Sequence, residues 1–209
     1  MKKAVGQILI LVENRYPYDT RVRKEATALT KAGYSVIVIS LRCNNERAFE
    51  EINGVKVYRI YRITLFNKVS RNNNPASIFK IYNNIKPIIG YFFEYLYFTT
   101  VSFLLSFYIL VKQGFDVIHT HNPPDTLSIV GIFYKIFGKK YIFDHHDLSP
   151  ELYIARVSGK KGFIYKVLIF FEKLSCKFAD IIITTNESYK QIEISRHAVD
   201  PKKIYIVRN

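Results

Sequence analysis

The chain has 209 residues, of which 49% are hydrophobic, enough for one large domain or two small ones and too many for a disordered protein. Its formal charge of +14 indicates an acidic partner, such as nucleic acid, an anionic membrane or a phosphorylated substrate, or else only a solvated basic face. The two cysteines, Cys43 and Cys176, have no ligand or disulfide spacing and predict the reduced thiols of a cytoplasmic protein.

The first apolar run, residues 8–12, predicts a strand. Lys2 and Lys3 precede it, but the run is too short for a secretory signal, and the polar residues Glu13 and Asn14 follow at once. Later runs are also short and mostly continuously apolar, which is typical of a parallel sheet covered on both faces. The predicted strands are residues 8–12, 35–41, 55–60, 117–119, 141–143, 181–184 and 204–207.

Helical patterns with recognisable ends lie between these strands. Asp19 or Thr20 caps a helix that Gly33 closes. Other helices are predicted from the prolines at 123–124, over residues 163–178, and from Asn186 onward. This alternation predicts a single α/β domain over residues 1–209, with a doubly wound, mostly parallel Rossmann-like sheet of about seven strands flanked by helices.

Two stretches interrupt the alternation. Residues 63–75 are polar and rich in asparagine, which predicts a long loop inside a basic stretch from Arg59 to Lys86. Residues 91–111 are almost wholly apolar apart from Glu94, and they approach the length of a membrane span. Hydroxyl residues lower their hydrophobicity and a strand follows directly, so a buried or interfacial helix fits better than a span. The helix is either an ordinary core helix or a membrane-docking face.

Polar side chains follow several of the predicted strands. Ligands of a doubly wound sheet bind beyond the carboxyl ends of its strands, so these residues are the candidates for binding and catalysis. Asp19 could instead be only a helix cap, and His119 only a hydrogen-bonded imidazole at the end of the sheet. The candidates are Asp19, Arg21, His119, His121, Asn122, His145, His146, Asp147, Glu151 and Asn186.

Three kinds of chemistry compete for these residues. A metal site is disfavoured because His145 and His146 point to opposite faces of a strand, and His119 and His121 have no third ligand at a standard spacing. Dinucleotide or phosphate binding by a glycine-rich loop is disfavoured because the turn after the first strand contains no glycine. A cleft whose imidazoles and carboxylates bind sugar hydroxyls and phosphates needs neither feature and fits best.

Several sequence blocks, taken in order, resemble the N-terminal domain of family 4 glycosyltransferases, which have the GT-B fold. No single block is diagnostic, but the ordered set covers nearly the whole chain. The blocks are Tyr-Asp-Thr-Arg-Val-Arg-Lys-Glu-Ala at 18–26, Asp-Val-Ile-His-Thr-His at 116–121, Asp-His-His-Asp-Leu at 144–148, Ala-Asp at 179–180 and Ile-Val-Arg-Asn at 206–209.

The resemblance implies roles for the matching residues. Such enzymes bind the acceptor mainly on the N-terminal domain and a nucleotide-sugar donor mainly on the C-terminal domain, usually with retention and without a metal or other cofactor. His146 would contact hydroxyls of the donor sugar while Asp147 fixes the loop, and His145 would replace His146 if the strand register shifts by one. The remaining matches are Asp19 and Arg21, near the donor phosphates and the acceptor, and Glu151, near the interdomain cleft.

The family continues beyond Asn209 into a second Rossmann domain that holds the nucleoside diphosphate, and we expect the chain to lack it. The expected function is therefore the acceptor-binding half of a glycosyltransferase of cell-envelope polysaccharide or glycolipid synthesis. It would act on a lipid-linked or saccharide acceptor with a separate donor-binding domain or subunit. The basic stretch and the aromatic helix would face the anionic inner surface of the cell membrane, giving a cytoplasmic, peripheral protein.

Two other functions are weighed against this one. The first is a catalytically inactive, membrane-associated binding or scaffold module of the same fold. The second is a nucleic-acid-binding protein, which is disfavoured because tyrosine and phenylalanine lie in apolar runs and do not alternate with arginine and lysine as in a stacking groove.

Overall fold

One eight-stranded sheet organises the parts of the chain that the computed structural model describes: residues 4–43, 45–63, 77–156 and 161–208, with only the backbone of 77–89 and of Arg156. The strands are β1 Gln7–Leu11, β2 Ser35–Arg42, β3 Phe49–Ile52, β4 Val55–Tyr61, β5 Val117–His121, β6 Lys140–His145, β7 Ile181–Thr184 and β8 Ile204–Ile206. Their order is β3-β4-β2-β1-β5-β6-β7-β8, and every neighbouring pair is parallel except β3–β4. The predicted mostly parallel α/β sheet is confirmed.

The strand that the sequence did not predict is β3. It is short and half-exposed, and it forms an antiparallel hairpin with β4 at the edge of the sheet. Asn53 and Gly54 make the turn with φ angles of 51° and 80°, in the left-handed region that these residues tolerate best. An exposed edge strand with two glutamates lacks the continuous apolar run that marks the buried strands.

Six helices connect these strands in the described part of the chain. The Asp19 side chain caps α1, as predicted, by accepting hydrogen bonds from the backbone N–H groups of Arg21 and Val22. The short α4 was not predicted. The helices are α1 Thr20–Lys31, α2 Ser77–Lys112, α3 Leu127–Ile136, α4 Ser149–Arg156, α5 Phe163–Phe178 and α6 Glu187–His197.

The strands bury alternate residues on the two faces of the sheet, as their period of two requires. Ile8 and Ile10 of β1 pack with Val22 and Ala26 of α1 on the first face. Leu9 and its same-side neighbours pack against α2, α3 and α5 on the second face. We call these the α1 face and the α2 face, and residues that alternate along β5 and β6 are divided between them.

Helix α2 is part buried and part exposed. Phe98, Ser102, Ser106 and Ile109 lie on its buried side, and the Ser106 hydroxyl is 2.8 Å from the Tyr134 hydroxyl of α3. Large apolar side chains remain exposed on the same helix, so it is both a core helix and an apolar surface. They are Tyr91, Phe92, Phe93, Leu96, Leu104, Phe107, Tyr108 and Val111.

The basic stretch from Arg59 to Lys86 runs into the first turns of α2 and is described only in part. The predicted loop at 63–75 lies outside the described residues except for Ile63. Arg59, counted in that stretch, is only 6% exposed, pairs with Glu46 and Glu50, and donates a hydrogen bond to the Tyr16 carbonyl. Arg59 therefore stabilises the protein interior and does not present its charge to a membrane.

Candidate active site

The strand order reverses at β1, which lies between β2 and β5. The connection that leaves β1 and the connection that leaves β5 run in opposite directions at such a point, and a crevice opens beyond the carboxyl ends of the strands. The carboxyl ends of β5 and β6 lie beside this point and carry His119, His121, Asp144, His145 and His146. The topology therefore places most of the predicted histidines at one edge of the sheet.

Four of these residues, together with one helical glutamate, form a buried group on the α1 face. We call it the histidine–carboxylate cluster: Glu25, His119, His121, Asp144 and His146. Glu25 of α1 lies 2.6 Å from His119 Nδ1 and 3.3 Å from His121 Nε2. Asp144 lies 3.2 Å from His121 Nδ1 and 2.9 Å from His146 Nε2.

The three imidazole rings of the cluster are stacked in a row. The centroids of His119 and His121 are 4.5 Å apart, and those of His121 and His146 are 5.7 Å apart with nearly parallel planes. His119 and His121 are each 1% exposed, whereas His146 is 9% exposed and lies at the outer end of the row. Of the three rings, His146 is thus the one that a ligand in the crevice reaches first.

The carboxylates of the cluster are held in their charged form. Burial alone would raise the pKa of Asp144 and of Glu25, but the facing histidines outweigh it and lower both. Burial would likewise lower the pKa of His119, yet Glu25 and Asp144 raise it to about 10. The pKa of His121 is raised by Asp144 and Glu25 against the effects of burial and of the neighbouring His119. The carboxylates and the imidazoles of this buried group thus each favour the charged form of the other.

Asn122 joins the end of β5 to the turn that carries His146 and Asp147. Its side-chain oxygen accepts hydrogen bonds from the backbone N–H groups of His146 and Asp147, at 2.7 and 3.1 Å. Its amide nitrogen donates to the Asp147 carbonyl and to the Asp125 carboxylate. Asn122 is 2% exposed, so the observed contacts of this candidate are internal and fix the turn.

His145 lies on the α2 face, apart from the cluster. Its Nδ1 is 2.9 Å from Glu193 of α6 and its Nε2 is 3.7 Å from Glu172 of α5. Burial would lower the pKa of His145, but these carboxylates raise it. Glu172 also pairs with Arg196 and His197, and Arg196 forms a close ion pair with Glu151. The structure therefore places His145 and Glu151 in a second ionic group that ties α4, α5 and α6 to the sheet.

The other predicted site residues lie at helix starts. Asp19 accepts hydrogen bonds from the Asn14 amide, at 3.0 Å, and from the Arg21 side chain, at 3.2 Å. Asn186 caps α6 by accepting a hydrogen bond from the Tyr189 N–H. These contacts are those of helix caps.

The sequence reasoning did not select Glu25 or Asp144. Glu25 lies beside the buried residues Val22 and Ala26 of α1, and that helical spacing is the signal that could have placed it against the sheet. Asp144 belongs to the sequence block at residues 144–148, but it was not among the candidate site residues. With these two residues added, His119 and His121 have the further ligands that the sequence did not reveal, and the cluster offers four metal-ligating atoms within 4.8 Å of one another.

A family of known proteins matches almost the whole chain. The family model described as Glycosyltransferase Family 4 matches residues 19–209. A chitobiosyldiphosphodolichol beta-mannosyltransferase of Debaryomyces hansenii is 27% identical over 119 residues, covering 53% of this chain and 25% of the relative. Its counterpart in Candida albicans is 29% identical over 96 residues, covering 44% of this chain and 21% of the relative. The matches thus span about a quarter of the length of these relatives.

Solved structures share the fold. Sucrose-phosphate synthase of Thermosynechococcus elongatus superposes with a TM-score of 0.60 at 14% identity, covering 97% of this chain and 48% of that one. UGT89C1 of Arabidopsis thaliana, solved with UDP-L-rhamnose, gives a TM-score of 0.56 at 12% identity, covering 97% and 48%. The described sheet and helices therefore correspond to one Rossmann-like half of a GT-B fold, as the sequence blocks predicted.

Proposed function

Because the chain belongs to glycosyltransferase family 4, we propose that it is the acceptor-binding half of a nucleotide-sugar-dependent glycosyltransferase that needs a separate donor-binding domain or subunit. The observation that carries the proposal is the histidine–carboxylate cluster, which ends in His146 at the carboxyl edge of the sheet. The crevice at this edge is where the donor-binding half closes over the acceptor.

His146 contacts the transferred sugar in this proposal. Its Nε2 lies 2.9 Å from Asp144 Oδ1. Both ring nitrogens are buried, and neither makes a hydrogen bond of good geometry among the described residues. Nδ1, which forms no ion pair among the described residues, is the nitrogen that a sugar hydroxyl would contact after the ring turns toward the crevice. Asn122 fixes the turn from His146 to Asp147 before substrate arrives, so little reorganisation is needed on binding.

The acceptor is a lipid-linked saccharide of cell-envelope polysaccharide or glycolipid synthesis. The two yeast relatives are named for mannosyl transfer to chitobiosyldiphosphodolichol, which is such an acceptor. A groove of about 460 Å³ between α2 and the ends of β2 and β4 combines apolar side chains, among them Leu104 and Val101, with Arg42. This combination suits a lipid chain next to a phosphate group.

The protein binds peripherally at the inner, cytoplasmic face of the cell membrane. The segment Gly90–Lys112 of α2 is long and apolar enough to cross a bilayer, and only 28% of its most apolar window is buried inside the protein. Phe92 and Leu104 are 61% and 62% exposed, and the chain carries a formal charge of +14. Exposed aromatic and aliphatic side chains on a basic protein favour an anionic membrane surface.

Binding by the chain alone tests its assignment to the acceptor side. Nanodiscs that carry a saccharide-diphospholipid should bind at least about tenfold more tightly than nanodiscs that carry the same diphospholipid without the saccharide. A nucleotide sugar should show no saturable binding, because the separate donor-binding domain or subunit is the part that binds its phosphates. Saturable binding of the nucleotide sugar, or equal affinity for the two nanodiscs, contradicts the proposal.

The exposed apolar side of α2 also favours a second candidate function, a catalytically inactive, membrane-associated scaffold of the same fold. A scaffold needs no recognition of a saccharide. Equal binding of the glycosylated and unglycosylated nanodiscs is the result that this candidate predicts.

A further inference from the structure

We infer that Glu25, His119, His121 and Asp144 form a binding site for one divalent transition-metal cation of the zinc class. Each residue offers one ligand atom, and these four atoms lie within 4.8 Å of one another. The inference does not depend on the proposed glycosyl transfer, since it rests on the donor set alone.

The four ligands project from rigid elements that converge on one point. His119 and His121 alternate along β5 and so share the α1 face. Asp144 lies on the neighbouring strand β6, paired with His121, and Glu25 reaches the same point from α1. Two imidazoles with two carboxylates suit zinc and its neighbours, whereas magnesium and calcium prefer oxygen ligands throughout.

The contacts of the buried imidazoles provide a second observation. His121 is 1% exposed, and its Nδ1 and Nε2 lie 3.2 Å from Asp144 and 3.3 Å from Glu25, but neither contact has good hydrogen-bond geometry. The same holds for His119 Nε2, which lies 3.7 Å from Asp144. A cation bound by one nitrogen of each ring and by the two carboxylates would be held by groups that already face one another.

The charges of the cluster also fit a dication. The two carboxylates of the donor set, Glu25 and Asp144, bring two negative charges to one point, and one M²⁺ ion neutralises them.

Binding requires small side-chain rotations. Ligand atoms around a tetrahedral zinc ion are about 3.4 Å apart, and His121 Nδ1 and Asp144 Oδ2 are already 3.2 Å apart. The stacked rings must tilt so that their lone pairs converge on the ion. His121 gives up no well-formed hydrogen bond in doing so.

Titration of the tag-free full chain with Co²⁺ and Zn²⁺ tests the inference. We expect a single Co²⁺ equivalent with the visible absorption of a tetrahedral ion, and displacement of Co²⁺ by Zn²⁺. At a Zn²⁺ concentration about a hundred times Kd, the melting temperature should rise by about 5–10 °C.

Variants locate the ion. His121→Gln and Glu25→Gln should each weaken binding at least about a hundredfold, and Glu25 is the more exposed of the two, so its variant is the one expected to keep the fold. His197→Gln, a histidine outside the cluster, should leave the affinity unchanged. The inference is overturned if the folded wild type gives no tetrahedral Co²⁺ absorption, or if folded Glu25→Gln binds the ion as tightly as the wild type.

Discussion

At the scale of single residues, Asn122 and His146 have different roles in the candidate site: Asn122 positions the turn, and His146 faces the ligand. Asn122 is almost fully buried and binds two backbone N–H groups and one carbonyl of the turn, so its contacts determine where the turn lies. His146 lies at the outer end of the row of imidazoles, with its Nε2 2.9 Å from Asp144. A rigid amide that positions an imidazole in this way is a means of preorganising a polar site.

Asn122→Ala should lower the free energy of unfolding by about 2–3 kcal/mol, because it leaves buried polar groups of the turn unpaired. Asn186→Ala is the matched control, since it removes one capping hydrogen bond at the start of α6 and should cost about 1 kcal/mol. Urea denaturation measures both variants. An equal or smaller loss for Asn122→Ala would mean that this side chain does not hold the turn.

Glu13, directly after β1, makes stability depend on pH. Burial raises the pKa of Glu13 from 4.5 to about 7, with Glu94 adding to the shift and Arg62 opposing it. The folded state thus holds a proton that the unfolded state loses, and Glu13 costs stability progressively as pH rises from about 4.5 to 7. Glu13→Gln should therefore differ from the wild type by less than about 1 kcal/mol near pH 5 and exceed its free energy of unfolding by about 2–3 kcal/mol above pH 7.5. Denaturation curves from pH 5 to 8.5 measure this difference, and a difference that does not change with pH contradicts it.

At the scale of elements, the sequence predicted what short-range patterns encode. Continuous apolar runs located seven of the eight strands, and Asp19 and Asn186 marked two helix starts. The edge strand β3 was not predicted, because it has one exposed face and two glutamates and therefore no continuous apolar run. The start of α2 at Ser77 was not predicted, because the predicted loop at 63–75 and the apolar segment at 91–111 left residues 76–90 unassigned.

The candidate site was only partly predictable for a related reason. His119, His121 and His146 follow strands in the sequence, and strand alternation correctly separated His145 from His146. Glu25 and Glu172 come from helices distant along the chain, so only the packing of α1 and α5 on the sheet shows that they meet these histidines. Single-sequence patterns carry no information about such long-range pairs.

The close contact of α3 with β6 gives an element-scale prediction. A Cβ atom on Gly131 would lie 2.4 Å from the ring of Tyr141, which is fully buried and 3.2 Å from the Thr120 hydroxyl. Gly131→Ala should therefore destabilise the protein by about 1–3 kcal/mol, although alanine is the better helix former. Gly162→Ala, where a Cβ meets nothing within 4 Å, should cost less than about 1 kcal/mol, because alanine is only a poorer residue than glycine at the start of α5. Thermal denaturation compares the two, and similar melting temperatures would show that α3 can shift away from β6.

At the scale of the whole molecule, the two sides of the fold are suited to different partners. The crevice edge carries the histidine–carboxylate cluster, and the outer side of α2 carries exposed aromatic and aliphatic side chains on a strongly basic protein. In the proposed enzyme the donor-binding half closes over the histidine–carboxylate cluster, while the outer side of α2 binds the membrane that contains the acceptor. One domain can hold both partners because they meet different parts of its surface.

Membrane binding tests the second surface. Leu104→Ser with Phe107→Ser should weaken binding to anionic phospholipid vesicles at least about tenfold, because each substitution removes apolar area from the docking side of α2. Tyr205→Ser with Val207→Ser is the matched control, since these side chains are similarly exposed at β8. Vesicle co-sedimentation at low and high salt measures both. An equal loss of vesicle affinity in the two double variants would show that α2 is not the docking surface.

The central claim is that this chain supplies the acceptor side of a transferase whose site is completed by a separate half. The most direct measurement is sugar transfer to a lipid-linked acceptor by the chain mixed with a donor-binding domain that is inactive by itself. We expect sugar transfer only in the mixture. The rate of transfer should fall by about a hundredfold or more in His146→Ala. It should be unchanged in Glu187→Ala, a substitution at an exposed residue of α6. Absence of transfer in the mixture, with the donor-binding domain active beside another acceptor-binding half, would contradict the claim, as would full activity of folded His146→Ala.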